Sequence, residues 1–232
     1  MLGGMGIIAA GMIGGTVCAA TGTTNTSSAV RDNRILETAT PESTATSTAT
    51  ATGTPEATPT QIARQFDAPP EMQIDPNKQY IATLKTEKGD IQVELAAQAA
   101  PQAVNNFVFL ARNDFYDGLT FHRVLEGFVA QGGDPLGTGT GGPGYFIPKE
   151  DNDLTHVAGA IAMAQTGAGD VSGSQFYITL APQPSLDRQG YMVFGKVVNG
   201  MDIVQSLTKR DPQQNPRAAP GDKILDVTIE ER

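Results

Sequence analysis

Tryptophan is absent from these 232 residues, and cysteine occurs once, as Cys18. A single cysteine excludes an intramolecular disulfide, so any folded part is held by packing and hydrogen bonds alone. Histidine occurs only at His122 and His156, with no cysteine or paired carboxylate at ligand spacing around either. A metal site therefore has no basis in the sequence, and no cofactor is called for. Basic residues are few: 16 Lys and Arg stand against 25 Asp and Glu, for a net charge of −9, and no basic run exists. That argues against a nucleic-acid partner, because neutralising phosphates takes clustered Lys and Arg.

Charge is missing altogether from the first twenty residues, MLGGMGIIAAGMIGGTVCAA, and the first charged side chain is Arg31. This is the composition of an export signal or a membrane anchor. Val17-Cys18-Ala19 and Cys18-Ala19-Ala20 both resemble small-residue cleavage sites, although the usual basic n-region is lacking. Six glycines make a poor spanning helix, and Val17 departs from the Gly or Ala that precedes a lipidated cysteine, so signal peptide, anchor and lipoprotein stay open for residues 1–20. Residues 21–76 are expected to be a disordered Thr/Ala/Pro-rich linker. Fourteen threonines lie between Thr21 and Thr60, and there is too little apolar surface to offset about 1–2 kcal/mol per residue of ordering entropy. The segment reads as a solvated spacer, with an O-glycosylated stalk as the alternative. The resulting location is extracytoplasmic, either secreted or membrane-anchored, with lipidation at Cys18 as one route.

From about Asn77 to Arg232 the pattern changes to alternating apolar and polar residues. Tyr80–Thr86 and Asp90–Ala96 flank Lys88-Gly89 and predict a β-hairpin. Pro101 suits a first helical turn, and Val104, Phe107, Val108 and Ala111 then fall on one helical face. Further strands are predicted at 157–164, 174–180, 191–198 and 224–230, with a short helix at 201–207. Short strands with few helices point to a closed sheet.

Three familiar signatures fail in context. Gly137, Gly139 and Gly142 satisfy G-x-G-x-x-G, but Pro143-Gly144 follows where a dinucleotide fold needs a helix, so the stretch reads as a surface loop. Ser172 and Ser174 lack the G-x-S-x-G elbow of a serine hydrolase. Neither histidine has metal-ligand company.

What remains is FHRVLEGFVAQGGD, Phe121 to Asp134, which predicts two short strands around Glu126-Gly127. An arginine inside so apolar a strand, with no acidic residue two positions away, needs a partner or water. Together with SGSQFYITL at 172–180 and MVFGKVVNGM at 192–201, this stretch closely resembles the cyclophilin family of peptidyl-prolyl isomerases. The resemblance implies a mainly β fold, a closed eight-stranded antiparallel barrel capped by two helices, with the active groove on its outer face. It also implies catalytic roles for Arg123 and Gln131. Phe128, Val129, Tyr177 and Leu186 would form an apolar pocket for the proline ring. Ala164, Gln165 and Gln175 would line the adjoining groove, with Tyr191 and His122 at its edge. His122 also fits a satisfied structural histidine, and Phe128, Val129 and Leu186 also fit ordinary core positions.

The sequence departs from the family pattern at Gln165, where Asn is common, at Tyr177 for Phe, at Tyr191 for His, and at Ser185, where cyclosporin-sensitive members carry Trp. The expected partners are proline-containing peptides and unfolded proteins, and the expected state is a monomer. The rival reading is a proline-binding module without turnover. Limited proteolysis should cut first between Thr21 and Pro70 and leave a resistant core; first cuts inside the core would refute this boundary.

Overall fold

The computed structural model describes residues 64–215 and 217–232, together with the backbone of Ala9–Ala10. The expectations for the remainder of residues 1–63, including signal, lipidation and linker, lie outside the described residues. The elements run β1 (Ala9–Ala10), β2 (Tyr80–Thr86), β3 (Gly89–Leu95), α1 (Pro101–Arg112), β4 (Arg123–Val124), β5 (Val129–Gly132) and β6 (Phe146–Ile147). They continue with β7 (Ala160–Thr166), β8 (Val171–Thr179), α2 (Pro184–Gln189), β9 (Val193–Asn199), α3 (Met201–Ser206) and β10 (Ile224–Glu231).

One curled sheet carries the fold, in the order β10-β2-β3-β9-β7-β8-β5-β4, with every neighbouring pair on that path antiparallel. The two-residue β6 pairs with β8, and β1 lies parallel to Gln165-Thr166 of β7. The predicted hairpin forms in full: Tyr80 opposes Leu95 and Thr86 opposes Gly89. Its inward residues Tyr80, Ala82, Leu84, Ile91, Val93 and Leu95 are buried, as the period of two requires.

Inside the curl lies the main core. The expected face of α1 supplies Val104, Phe107, Val108 and Ala111 to it, all buried. The Phe107 ring meets Tyr116 at 5.0 Å, Phe194 at 5.5 Å and Phe176 at 5.8 Å between centroids. Fully burying side chains of this size contributes about 1.5–3 kcal/mol each, so this cluster is a principal source of stability. The first turn of α1 leaves backbone N–H groups without intrahelical partners. Distant Glu150 takes two of them, from Gln102 and Ala103, both at 2.9 Å.

The closed barrel expected from the sequence needs correction, because no continuous ladder joins β4 to β10. The rim is completed by single contacts: Thr120 bridges Lys223, Phe121 N–H donates to the Asp222 carbonyl at 3.0 Å, and Ile224 N–H donates to Leu119 at 2.8 Å. The reason is local backbone geometry. Asp114 and Gly118 have positive φ within the turns that lead to β4, so only the short segment from Gly118 to Phe121 runs beside the start of β10. The approach here is also close, since a Cβ on Gly221 would stand 2.0 Å from the Phe121 carbonyl oxygen.

Among the described residues there are three helices, not two. The unforeseen α2 opens on Pro184 and ends at Gly190, which adopts a left-handed φ of 71°, a start and stop pattern present in PSLDRQG. The strand predicted at 157–164 begins instead at Ala160, because Val157–Gly159 form a turn closed by Ala160 N–H to the Val157 carbonyl.

The folded unit also starts earlier than Asn77. Phe66 stacks edge-on to Phe109 at 5.1 Å, its N–H donates to Pro143 at 2.7 Å, and Ile74 is buried in the core. Two apolar anchors in an otherwise polar stretch were enough to order it, which composition averaged over a window does not register. Phe66→Ala should cost about 1–2 kcal/mol, less than a fully buried phenylalanine, and lower Tm by several degrees in a thermal melt. An unchanged Tm would mean that this segment adds nothing to the fold.

Candidate functional site

Sheet alternation builds a second apolar surface on the outer face. In β7, Ile161 and Met163 point into the main core, while Ala160, Ala162 and Ala164 join a separate cluster with Val129, Tyr177, Leu186 and Val193. In β8, Phe176 and Ile178 turn inward and Tyr177 outward. Phe128 and Tyr191 are half-buried and pack against this outer cluster.

Register then aligns the polar residues with it. Arg123 opposes Gln131, Gln131 opposes Tyr177, Tyr177 opposes Ala162, and Ala162 opposes Val193. Directly paired residues share a face, so these five positions form one row across five strands. The β4–β5 turn that sets this register closes with Phe128 N–H to Leu125 at 3.0 Å and Leu125 N–H to Val129 at 2.9 Å, around Gly127 at φ 66°. The predicted break at Glu126-Gly127 is this turn.

Arg123 is buried to 6% exposure, and among the described residues its Nε and Nη1 have no hydrogen-bond partner. Its guanidinium carbon lies 5.8 Å from the centroid of the Phe128 ring, within cation–π range. Burial pulls the guanidinium below its ordinary value, opposed by the charge of Asp211, and an arginine retains its proton even so. Beside it Gln131 is held by Gln175: Gln131 Nε2 donates to Gln175 Oε1 at 3.0 Å, and Gln175 Nε2 donates to the Gly141 carbonyl at 2.7 Å. Both amides are thereby oriented. A cleft of about 70 Å³ continues from Gln131 and Gln175, bounded by Ala164, Gln165, Gly141, Phe146 and Ser172. Gln165 is fixed there by a 3.2 Å bond to the Gly190 carbonyl.

The residues singled out in the sequence therefore converge, with one exception. His122 does not share the row; it is buried with both ring nitrogens unpartnered among the described residues, close to Gly139 and facing the charge of Asp134. Burial pushes its pKa down to about 4, against the attraction of Asp134 and with help from Arg210 and Arg123. Sequence reasoning missed Gly141 and Phe146 as cleft walls; their signal was the glycine-rich loop, whose backbone carbonyls carry no residue-type signature. The 134–145 stretch is indeed a loop, bound at its start by the Asp134 carboxylate, which accepts the N–H groups of Leu136, Thr138 and Gly139. Among the described residues no group of three or more His, Cys, Asp or Glu could hold a metal ion, and no helix is long and apolar enough to cross a membrane.

An apolar cluster on the outer face of a curled antiparallel sheet, bordered by a buried guanidinium and two oriented amides, is the arrangement a peptide groove of the prolyl-isomerase type requires. The family model described as cyclophilin type peptidyl-prolyl cis-trans isomerase/CLD matches residues 81–229, and this chain belongs to that family. A Synechococcus elongatus peptidyl-prolyl cis-trans isomerase is 47% identical over 150 residues, covering 64% of this chain and 94% of that protein. Peptidyl-prolyl cis-trans isomerase B of Bacillus subtilis is 51% identical over 129 residues, covering 55% and 89%. The crystal structure of a Cryptosporidium parvum cyclophilin type isomerase superposes with a TM-score of 0.59 at 32% identity, covering 67% of this chain and 99% of that one. The same parasite protein in the presence of the dipeptide Ala-Pro gives 0.58 at 31%, covering 66% and 99%.

His122 makes stability depend on pH in a defined direction. Its folded value of about 4 lies below the ordinary 6.5, so the unfolded chain binds the proton more readily. The stabilisation is full above pH 6.5 and is lost as pH falls towards 4, roughly 3 kcal/mol over the window. Chemical denaturation at pH 7 and pH 4.5 should show a smaller loss for His122→Gln than for the original protein, and equal losses would contradict the buried neutral ring.

Proposed function

We infer that this protein accelerates cis-trans rotation about Xaa-Pro peptide bonds, with Arg123 as the donor that acts on the twisted amide. No bond is broken in this reaction, and its barrier of about 18–20 kcal/mol is the resonance lost when the C–N bond twists. In the twisted state the imide nitrogen regains a lone pair. A fixed donor that meets that lone pair binds the transition state better than either planar ground state. The observation that carries the reading is the buried Arg123, whose Nε and Nη1 lack acceptors among the described residues, beside an apolar cluster. Leaving charged donors desolvated and unpaired is costly. A site that only held proline would have no use for that cost, and this favours turnover over a passive binding module.

In this mechanism the proline ring enters the cluster of Phe128, Val129, Tyr177 and Leu186, with Tyr191 at its edge. That fixes one side of the rotating bond. Gln131, oriented by Gln175, bonds the substrate backbone on the other side, and the cleft beside Ala164 and Gln165 takes the preceding residue. The guanidinium presents a rigid planar fork, which a lysine does not. The reaction needs neither nucleophile nor metal.

The substrates are proline-containing peptides and unfolded chains, and the cellular role is assistance to folding. We further propose that the domain works outside the cytoplasm as a monomer on a tether. Support comes from the charge-free first twenty residues and the threonine-rich stretch that follows them.

Arg123→Ala should lower kcat/KM for a short Xaa-Pro peptide by roughly 10²- to 10³-fold, the scale of one lost transition-state donor worth about 3–4 kcal/mol. Arg123→Lys should restore only part of the loss. A protease-coupled isomerisation assay measures both, with circular dichroism and Tm to show that the variants are folded. A folded Arg123→Ala protein working near the original rate would overturn the mechanism.

A further inference from the structure

The wall of the apolar pocket is backed by a buried polar chain that the mechanism above leaves unused. The Tyr177 hydroxyl lies 2.8 Å from Nε2 of His156, and Nδ1 of His156 lies 2.6 Å from Oδ1 of Asp187. The same carboxylate oxygen accepts the His156 backbone N–H at 2.9 Å.

Chemistry fixes the direction of each bond. A carboxylate only accepts, so Nδ1 carries the ring proton and Nε2 is left as an acceptor for the Tyr177 hydroxyl. Burial lowers the pKa of His156, against the pull of Asp187, and keeps the ring neutral. Burial also raises Tyr177 well above its ordinary value, so the hydroxyl keeps the proton it donates. The His156 side chain is wholly enclosed, whereas that of Asp187 is 30% exposed.

The two ends of this chain belong to different walls of one pocket. Tyr177 stands on β8 in the row that begins at Arg123, and Asp187 follows Leu186 on α2. A helix of six residues has little stability of its own, so its placement depends on outside ties. The Gln183 N–H, at the start of α2, supplies a second tie to the same place by donating to the His156 carbonyl at 2.7 Å. The aromatic rings agree with this role: Tyr177 stacks on His156 at 5.8 Å and meets Tyr191 edge-on at 6.1 Å.

We propose that His156 and Asp187 are positioning residues of the proline pocket, holding the Tyr177 ring and the Leu186-bearing helix at a fixed separation across it. The proposal rests on the reading that this cluster takes the proline ring. Neither residue touches the peptide; their effect is on how well the ring is gripped, and so on KM more than on kcat.

The test compares the full chain with His156→Leu, Tyr177→Phe, the double variant and Asp187→Asn, using steady-state isomerisation of a short Ala-Pro peptide and Tm on the same samples. His156→Leu should raise KM about five- to tenfold with kcat within about twofold, the scale of one net hydrogen bond. Tyr177→Phe, which deletes only the hydroxyl, should raise KM in the same sense and keeps the test intact if His156→Leu fails to fold. The double variant should be no worse than His156→Leu alone, because both ends of one bond are then gone. Asp187→Asn, which keeps an acceptor oxygen but loses its charge, should raise KM in the same sense as His156→Leu and by less.

A lower Tm with KM unchanged would make the chain merely structural and overturn the proposal. So would single-variant effects on KM that multiply in the double variant. If the unmodified chain does not isomerise the peptide, the functional reading falls by itself. The peptide dissociation constants of the same variants, measured calorimetrically, then decide the positioning role by the same criteria.

Discussion

The strict alternation of side chains across the β5-β8-β7 sheet is the constraint on which the rest of this structure depends. Phe176 and Ile178 turn into the main core while Tyr177 turns out, and Ala162 and Ala164 turn out between the inward Ile161 and Met163. Stability and site are thus built from the same residues of the chain, taken alternately. A slip of one residue in register would put Tyr177 into the core and Phe176 into the groove, so the aromatic packing around Phe107 also fixes the site. The small residues of β7 matter for the same reason. Alanines on the outer face leave a hollow that longer side chains would fill, and Tyr177, Leu186 and Phe128 become its walls.

The polar side of the groove depends on how unequally its buried groups are satisfied. Gln131 and Gln175 are tied to one another and to the Gly141 carbonyl, so their orientation is set before any peptide arrives. Arg123 has no such partner for Nε and Nη1 among the described residues, and it stays charged. His122, its chain neighbour, is buried as well but is a group that can shed its charge, and burial drives it neutral. Two adjacent basic residues under similar burial therefore end in opposite protonation states, because one has an accessible neutral form and the other has none. Arg123 is thereby the charged member of the adjacent pair.

Much of this was legible in the sequence where local patterns govern. The hairpin around Lys88-Gly89, the apolar face of α1 and the turn at Glu126-Gly127 are all short-range features, and each formed where periodicity and turn chemistry put it. The helix at Pro184 carried its own punctuation and was readable, yet six residues are too few to show a period. Residues 64–76 escaped because two anchors, Phe66 and Ile74, order a stretch whose average composition resembles a linker. Barrel closure escaped for a different reason. The gap between β4 and β10 is spanned by isolated bonds from Gly118–Phe121 to Asp222–Ile224, contacts between segments about a hundred residues apart.

The sequence by itself determined the family, because three separated motifs match it in order, and the resemblance they carry is what named the groove residues; of these, Phe128, Leu186 and Tyr191 lie off the strands. Tertiary structure alone decided which residues share a face and which polar groups remain unpaired. His122, adjacent to Arg123 in the chain, falls out of the row, while Gln131, Tyr177, Ala162 and Val193 enter it from four other strands. It also brought His156 and Asp187 into line behind Tyr177, although the three come from a loop, a helix and a strand. The physical reason is that cross-strand register and burial are set by the whole packed sheet, and hydrogen-bond satisfaction is a property of the enclosed space rather than of any segment that lines it.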